Sequence, residues 1–181
     1  SRGGVKLAHA LETFGIDVSG RLGLDIGAST GGFTDVLLTR GATAVIAVDV
    51  GHGQLHWRLR TDPRVTLVEG LNARYLTPAA LPGLGDGAGI VTVDVSFISL
   101  ALILPPLLTV VGPGVDLVAL VKPQFEAGRR EAPKGVVRDP AVHARVQADI
   151  TAKAAAIGWT RLAVTPSPIV GAKGNREFLM H

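Results

Sequence analysis

Short apolar runs alternate with amphipathic stretches along the chain, and the alternation itself predicts an architecture. In Gly4 to Ile16, Leu7, Ala10, Leu11 and Phe14 recur at spacings of three and four, marking one helical face. Leu22–Ile26, Ala44–Val50, Val65–Val68, Ile90–Val95 and Val115–Val121 are too short for helices, and most are rich in valine or isoleucine. They read as five buried strands. Gly32–Arg40 reads as a helix closed by Gly41, and Gln54–Arg60 as a shorter one ended near Asp62-Pro63. Asp139-Pro140 joins an N-cap to a proline at the first helical position and opens a helix to about Ile157, stopped by Gly158. Thr160–Thr165 and Arg176–Met180 read as two final strands around a loop, Pro166–Asn175, that carries Lys173.

Strands alternating with helices imply right-handed crossovers, hence an α/β fold with a mostly parallel sheet and helices on both faces. The last two strands, with only a loop between them, predict an antiparallel hairpin on that sheet. A length of 181 residues fits one domain with a single core. With 47% hydrophobic and 18% charged residues, disorder is excluded as the dominant state. The absence of cysteine removes disulfide scaffolds, cysteine-ligated metals and cysteine nucleophiles together. The longest apolar stretch, Ile90 to Val111, is interrupted by Asp94 and by Pro105-Pro106, so no membrane span is expected. Ser1 is not followed by a charged-then-apolar leader, and the expectation is a soluble cytoplasmic domain with no membrane partner.

A net charge of +3 is compatible with RNA, while 4% aromatic residues argue against a platform of many stacking rings. The one irregular charged stretch is Glu126 to Arg138, where Arg129, Arg130, Lys134 and Arg138 outnumber Glu131. A connection of this length is either a binding loop or a solvated one.

The strongest local motif is Leu24-Asp25-Ile26-Gly27-Ala28-Ser29-Thr30-Gly31-Gly32-Phe33, which follows a predicted strand and opens a helix. Small residues there let the backbone approach a ligand across the carboxyl ends of the strands. The next strand ends in Val48-Asp49-Val50, with Asp49 placed to hydrogen-bond a ribose diol. A dinucleotide fingerprint requires a glycine where this chain has Ser29, and Asp25 at a strand end repels a pyrophosphate but suits a cation. The loop therefore favours S-adenosylmethionine, which carries a sulfonium and no phosphate, over NAD. A tight turn above a buried aspartate is the plain structural alternative.

Asp94 ends the fourth predicted strand and Lys122 the fifth. In a doubly wound sheet these strands are neighbours, so both side chains face one cleft. An unpaired charge is costly inside a protein, which leaves a functional pair or a structural salt bridge.

Seven stretches in order carry a family resemblance: Ser1-Arg2-Gly3-Gly4-Val5-Lys6-Leu7, Asp25–Phe33, Val48–Leu55, Asn72-Ala73-Arg74-Tyr75, Asp94–Ser99, Val121–Glu126 and Lys173–Glu177. Together the chain resembles the hemolysin-A-like (TlyA type) ribosomal RNA methyltransferases, within the FtsJ-like ribose methyltransferases. The resemblance implies a class I, Rossmann-like methyltransferase fold, S-adenosylmethionine as donor, ribosomal RNA or ribosomal subunits as partner, and a Lys-Asp-Lys-Glu tetrad at a ribose 2′-hydroxyl. Residue by residue that tetrad is Lys6, Asp94, Lys122 and Glu177. Lys122 would accept the hydroxyl proton, a lysine beside another cation and partly desolvated being able to do so. Asp94 would orient it and lie near the sulfonium methyl. Lys6 and Glu177 would position the ribose and tune the charge around Lys122, with Lys6 the cation that makes it a base. No metal is required.

Gly27, Ala28, Ser29, Thr30, Gly31, Gly32 and Phe33 would wrap the methionine end of the cofactor, with Asp25 and Asp94 near its cationic groups. Asp49 and Val50 would hold the ribose, and Asn72 and Ala73 would lie near the adenine. Arg2, with the four basic loop residues, would contact RNA phosphates. The family usually carries a small RNA-binding domain ahead of this segment, and the given sequence does not include it. An inactive binding module of the same fold, a membrane-active hemolysin and an NAD-dependent enzyme are the rival readings.

Overall fold

A computed structural model describes residues 1–181. Seven strands form one sheet: β1 (Leu22–Ile26), β2 (Ala44–Asp49), β3 (Val65–Glu69), β4 (Ile90–Val93), β5 (Asp116–Val121), β6 (Val164–Pro166) and β7 (Phe178–Met180). Their order is β3-β2-β1-β4-β5-β7-β6. The first five run parallel, with Leu24 opposite both Ile46 and Val91. β7 is antiparallel to β5 and to β6, so the final hairpin closes one edge of the sheet. The chain steps outward from β1 to β3 and then returns to β4, which opens a crevice at the carboxyl ends of β1 and β4.

Alternation along the strands sends side chains to both faces, and both are covered. On one side α1 (Arg2–Phe14) and α2 (Gly32–Thr39) set Leu7, Leu11, Phe33 and Leu37 against Val45, Ala47, Val118, Leu120 and Leu179. The two helices approach closely through small residues. A Cβ on the Gly4 position would lie 3.3 Å from the Gly32 carbonyl oxygen. Ser1 accepts a hydrogen bond from the Gly4 N–H and starts α1, and Gly15, at φ 66°, ends it. On the other side α4 (Leu100–Val111) and α6 (Pro140–Ile157) set Leu100, Ile103, Leu104, Leu107, Val146 and Ile150 against Leu24, Ile26, Ile46, Val91 and Leu117. A fully buried leucine or isoleucine contributes about 1.5–3 kcal/mol, so these rows dominate the stability of the layers.

Several boundaries differ from the expectations above. The shorter helix is only α3 (Trp57–Arg60), because residues 51–56 are taken up by the turns that follow β2. The strand expected over Thr160–Thr165 begins only at Val164, since Arg161 has a left-handed φ of 57° that no strand tolerates. β4 stops at Val93, so Asp94 is the first residue beyond it. The helix α4 is an addition: Pro105 and Pro106 lie inside it, yet its buried rows hold it together. A short helix α5 (Pro123–Glu126) follows β5 directly. No helix is long and apolar enough to cross a membrane.

Candidate active site

Five strand ends and the first helix converge at the crevice. The turn after β1 is possible because Gly27 adopts φ 81°, and a Cβ there would overlap the carbonyl of Asp94. The two loops therefore touch backbone to backbone. Gly27, Ser29, Asp49, Val50, Asn72, Ala73 and Asp94 line a cleft of about 440 Å³, together with Gln54, Leu71, Ser96, Phe97 and apolar side chains. An adjoining recess is lined by Gly27, Ala28, Ser29, Thr30, Gly32, Phe33 and Asp94, with Ser1, Arg2 and Gly3 from the start of α1. Two of the expected cofactor residues stand apart. Gly31, at φ 97°, packs against Leu55 and Leu59 and lines neither space. Asp25 is fully buried beneath the cleft, so a direct contact with a ligand is corrected to an indirect one.

Asp25 accepts hydrogen bonds from the hydroxyls of Thr34 (2.7 Å) and Thr92 (2.9 Å). Burial pushes its carboxyl up to about 6, the two hydroxyls pull it down, and the nearby Asp94 adds to the rise. Asp49 is held at both oxygens by backbone amides, Ser29 N–H to Oδ2 and Gly51 N–H to Oδ1, each at 2.7 Å. That arrangement fixes the carboxylate at the cleft wall and leaves its remaining lone pairs for a diol. The Asn72 Oδ1 accepts from the Arg74 N–H at 3.0 Å and starts the turn that carries Ala73.

The four tetrad positions pair two by two. Lys122 Nζ stands 2.6 Å from Asp94 Oδ1 and donates to the Ser96 hydroxyl at 3.0 Å. The approach to Oδ1 is an ion pair without hydrogen-bond alignment, so that oxygen is buried with no directed donor. Lys6 Nζ and Glu177 Oε2 meet at 2.5 Å, with their side chains 9% and 3% exposed. Glu177 reaches this place because Gly171 lies flat against its carboxylate, where any Cβ would overlap it. Lys6 is thus neutralised by its own acid, rather than standing as a free cation beside Lys122. The structure brings all four charges to one end of the sheet, which composition and periodicity leave open for Lys6 and Glu177.

Three residues at the cleft lie outside the sequence-based expectations. Ser96 steadies Lys122. Gln54 accepts a hydrogen bond from the Ser29 hydroxyl at 3.4 Å. Phe97 is 90% exposed with a left-handed φ of 64°, and its ring packs on that of Phe125 at 5.0 Å. Glu126, from the same segment as Lys122, accepts from Ser99 Oγ (2.5 Å) and the Leu100 N–H (2.8 Å). It caps α4 and ties the Lys122 segment to the Asp94 segment, and burial raises its carboxyl above the ordinary range. All of these sit inside or beside the seven family stretches, so a polar or aromatic residue just past a strand end was the available signal.

Arg129, Arg130, Lys134 and Arg138 are exposed. Arg2 is exposed as well, but its guanidinium donates to the Val170 carbonyl at 2.5 Å and so braces the β6–β7 loop.

A profile of the FtsJ-like methyltransferase family matches residues 1–181. The 16S/23S rRNA (cytidine-2′-O)-methyltransferase TlyA of Mycobacterium tuberculosis is 51% identical over 181 residues, covering 99% of this chain and 66% of that protein. Hemolysin A of Brachyspira hyodysenteriae is 42% identical over 182 residues, covering all of this chain and 75% of its own. A solved Streptococcus thermophilus protein described as a candidate hemolysin superposes with a TM-score of 0.92 at 48% identity, over 99% of this chain and 65% of that one. An S-adenosylmethionine-dependent methyltransferase from Mesorhizobium loti shares the fold alone, at 14% identity and a TM-score of 0.64 over 95% of this chain and 94% of that one. The chain thus spans a little under two thirds of the length of the first of these relatives. With the profile covering every residue and relatives at 42–51% identity, this chain belongs to the FtsJ-like methyltransferase family.

Proposed function

We propose that this domain transfers a methyl group from S-adenosylmethionine to a ribose 2′-hydroxyl of ribosomal RNA, and that it works in the cytoplasm, where ribosomes are. The observation that carries the reading is the pair Asp94–Lys122 at the mouth of a cleft fitted to an adenosyl ligand. The fit rests on two features: Asp49 presents a pre-held carboxylate to a diol, and the Gly27 turn, closed on the Asp94 carbonyl, puts both loops on the cleft wall. A volume of about 440 Å³ is in the range of small-molecule sites. When bound, the cofactor supplies an electrophilic methyl on a sulfonium.

The residues of the chain do the rest. Asp49, Val50, Asn72 and Ala73 hold the adenosine end, and the Gly27–Phe33 turn with Arg2 and Gly3 encloses the other. The acceptor ribose lies beside Lys122, whose amine, in its uncharged form, accepts the 2′-hydroxyl proton as the oxygen attacks. Asp94 and Ser96 fix the direction of that amine, and the Lys6–Glu177 pair positions the ribose without adding net charge. Alignment of hydroxyl and methyl supplies much of the acceleration. Phe97 offers an exposed ring at the rim, on which an unstacked base can lie. Residues 1–181 form the methyltransferase domain, and an RNA-binding domain joined ahead of it in the full-length protein docks the substrate.

The test is a transfer assay with isotope-labelled methyl on adenosylmethionine and the full-length protein. Labelled ribosomal subunits are digested to nucleosides and separated by mass. A labelled 2′-O-methylnucleoside supports the reading, whereas label on a base, or in protein, contradicts it.

A further inference from the structure

We propose that the β6–β7 loop, residues 167–177, is a second phosphate-binding arm, locked to the basic loop by Asn175 so that the two make one RNA surface around the Lys6–Glu177 pair. This rests on the reading of an RNA substrate and extends it to Lys173 and Arg176.

Asn175 is 2% exposed and spends its whole amide on the junction. Its Oδ1 accepts from the Val137 N–H at 3.1 Å, and its Nδ2 donates to the Gly135 carbonyl at 2.9 Å and the Ala172 carbonyl at 3.0 Å. Two of these bonds reach the end of the basic loop, about 40 residues away in sequence, and the third closes the arm on itself. A further bond from Lys173 Nζ to the Lys134 carbonyl, at 3.3 Å, crosses the same junction. Lys134 and Lys173 both hold left-handed backbone, at φ 56° and 55°, at the centre of two matching tight turns. Non-glycine residues in that region are strained, and strain of this kind persists where surrounding bonds over-determine it.

The charges on this surface lack carboxylate partners, although Lys173 donates to the Lys134 carbonyl. Arg129, Arg130, Lys134, Arg138, Lys173 and Arg176 are exposed, and none joins an ion pair. Glu131, the acid among them, is taken by Arg145 at 2.6 Å and by the Gly128 N–H. Exposed cations on two loops bonded to each other, none of them in an ion pair, suit a polyanion. The arm also carries the active-site geometry. Arg2 braces it at Val170, and Gly171 seats the Glu177 carboxylate. RNA drawn onto the arm therefore comes to rest over the buried Lys6–Glu177 pair. Asn175 is a positioning residue here, acting through both loops.

The test uses the full-length protein, an unstructured oligouridylate and purified ribosomal subunits, with affinity followed against salt. Lys173→Gln with Arg176→Gln removes two exposed charges, and an unchanged melting temperature and cofactor affinity check that the fold is kept. Affinity is expected to fall and the salt slope to flatten by about 0.7 per lost contact on a single strand. Asn175→Ala, which removes no charge, is expected to lower RNA affinity and raise KM for RNA while cofactor affinity, measured by calorimetry, stays at the wild-type value. An unchanged slope in the lysine–arginine variant, while Arg129→Gln with Arg130→Gln still flattens it, overturns the arm and leaves the RNA reading standing. An unchanged slope in both pairs overturns the two together. Binding to phosphatidylglycerol vesicles with none to either RNA also overturns the proposal.

Discussion

Asp25 lies sealed under two threonine hydroxyls, and its charge opposes folding at neutral pH. Its carboxyl moves from an ordinary value of 3.8 to about 6 on folding, so the stabilising, protonated form is fully present below 3.8 and is lost as pH rises through 6. At ~1.4 kcal/mol for each tenfold change in proton affinity, that rise weakens the fold by something on the order of 3 kcal/mol. Asp25→Asn should therefore gain melting temperature relative to wild type as pH goes from 4 to 7. A difference flat across that range would show that the burial cost is met elsewhere. Asp116 has the opposite sign. Burial works against its charge, but His181 and Arg21 together hold it below its ordinary range, and their contribution disappears on acidification in both proteins alike. Asp49→Ala should weaken adenosylmethionine binding by about 1.5–3 kcal/mol, the worth of a charge-assisted hydrogen bond, and calorimetry on the folded variant checks it. Asp49, Asp94 and Lys122 were legible because each stands at the end of a predicted strand. Lys6 and Glu177 were not, since they are distant in sequence and, without the family pattern, read as surface charges. Folding makes them a buried pair, and removing either partner leaves a stranded charge at a cost of about 3–5 kcal/mol. Activity lost in Lys6→Ala would therefore mix chemistry with stability, and so would that in Lys122→Ala, which strands Asp94, whereas Lys122→Arg keeps the charge.

At the scale of elements, the Gly27 turn and the α4 cap decide whether the strand ends stay together. Gly27→Ala places a methyl on a φ of 81° and against the Asp94 carbonyl. Strain and overpacking each cost roughly 1–3 kcal/mol, so this variant should lose stability and cofactor affinity together, read by urea unfolding and calorimetry. Glu126→Ala removes the acceptor of the Leu100 N–H and of the Ser99 hydroxyl, leaves Ser99 Oγ on the Ala101 N–H, and should lower the urea midpoint by the equivalent of about 0.5–2 kcal/mol with an unchanged slope. An unaltered midpoint would mean that Ser99 alone caps the helix. The five parallel strands and α6 were readable because their ends carry clear stop signals, Asp139-Pro140 and Gly158 above all. The helix α4 was not, although Leu100, Ile103, Leu104, Leu107 and Val111 recur with helical spacing. Two internal prolines and an unbroken apolar composition mask that period, and burial against the sheet outweighs the proline penalty.

Across the whole molecule, the site exists only because the chain returns from β3 to β4 and then folds β7 back beside β5. That path sets α1, β1, β2, β4, β5 and β7 around one crevice, and the parallel order with a terminal hairpin was legible from the alternation of runs. The meeting of the β6–β7 loop with the basic loop was not, because it depends on Asn175, one buried amide that no periodicity marks. In the reaction we propose, Lys122 takes the proton of a ribose hydroxyl. That role is tested most directly by single-turnover methyl transfer in the full-length protein, at saturating adenosylmethionine, for wild type, Lys122→Ala and Lys122→Arg. Both variants should bind the cofactor as wild type does and transfer no methyl, since an arginine does not give up its proton near neutral pH. A near-normal rate in Lys122→Arg would contradict proton acceptance by this residue, and a near-normal rate in Lys122→Ala would contradict the placement of the active site.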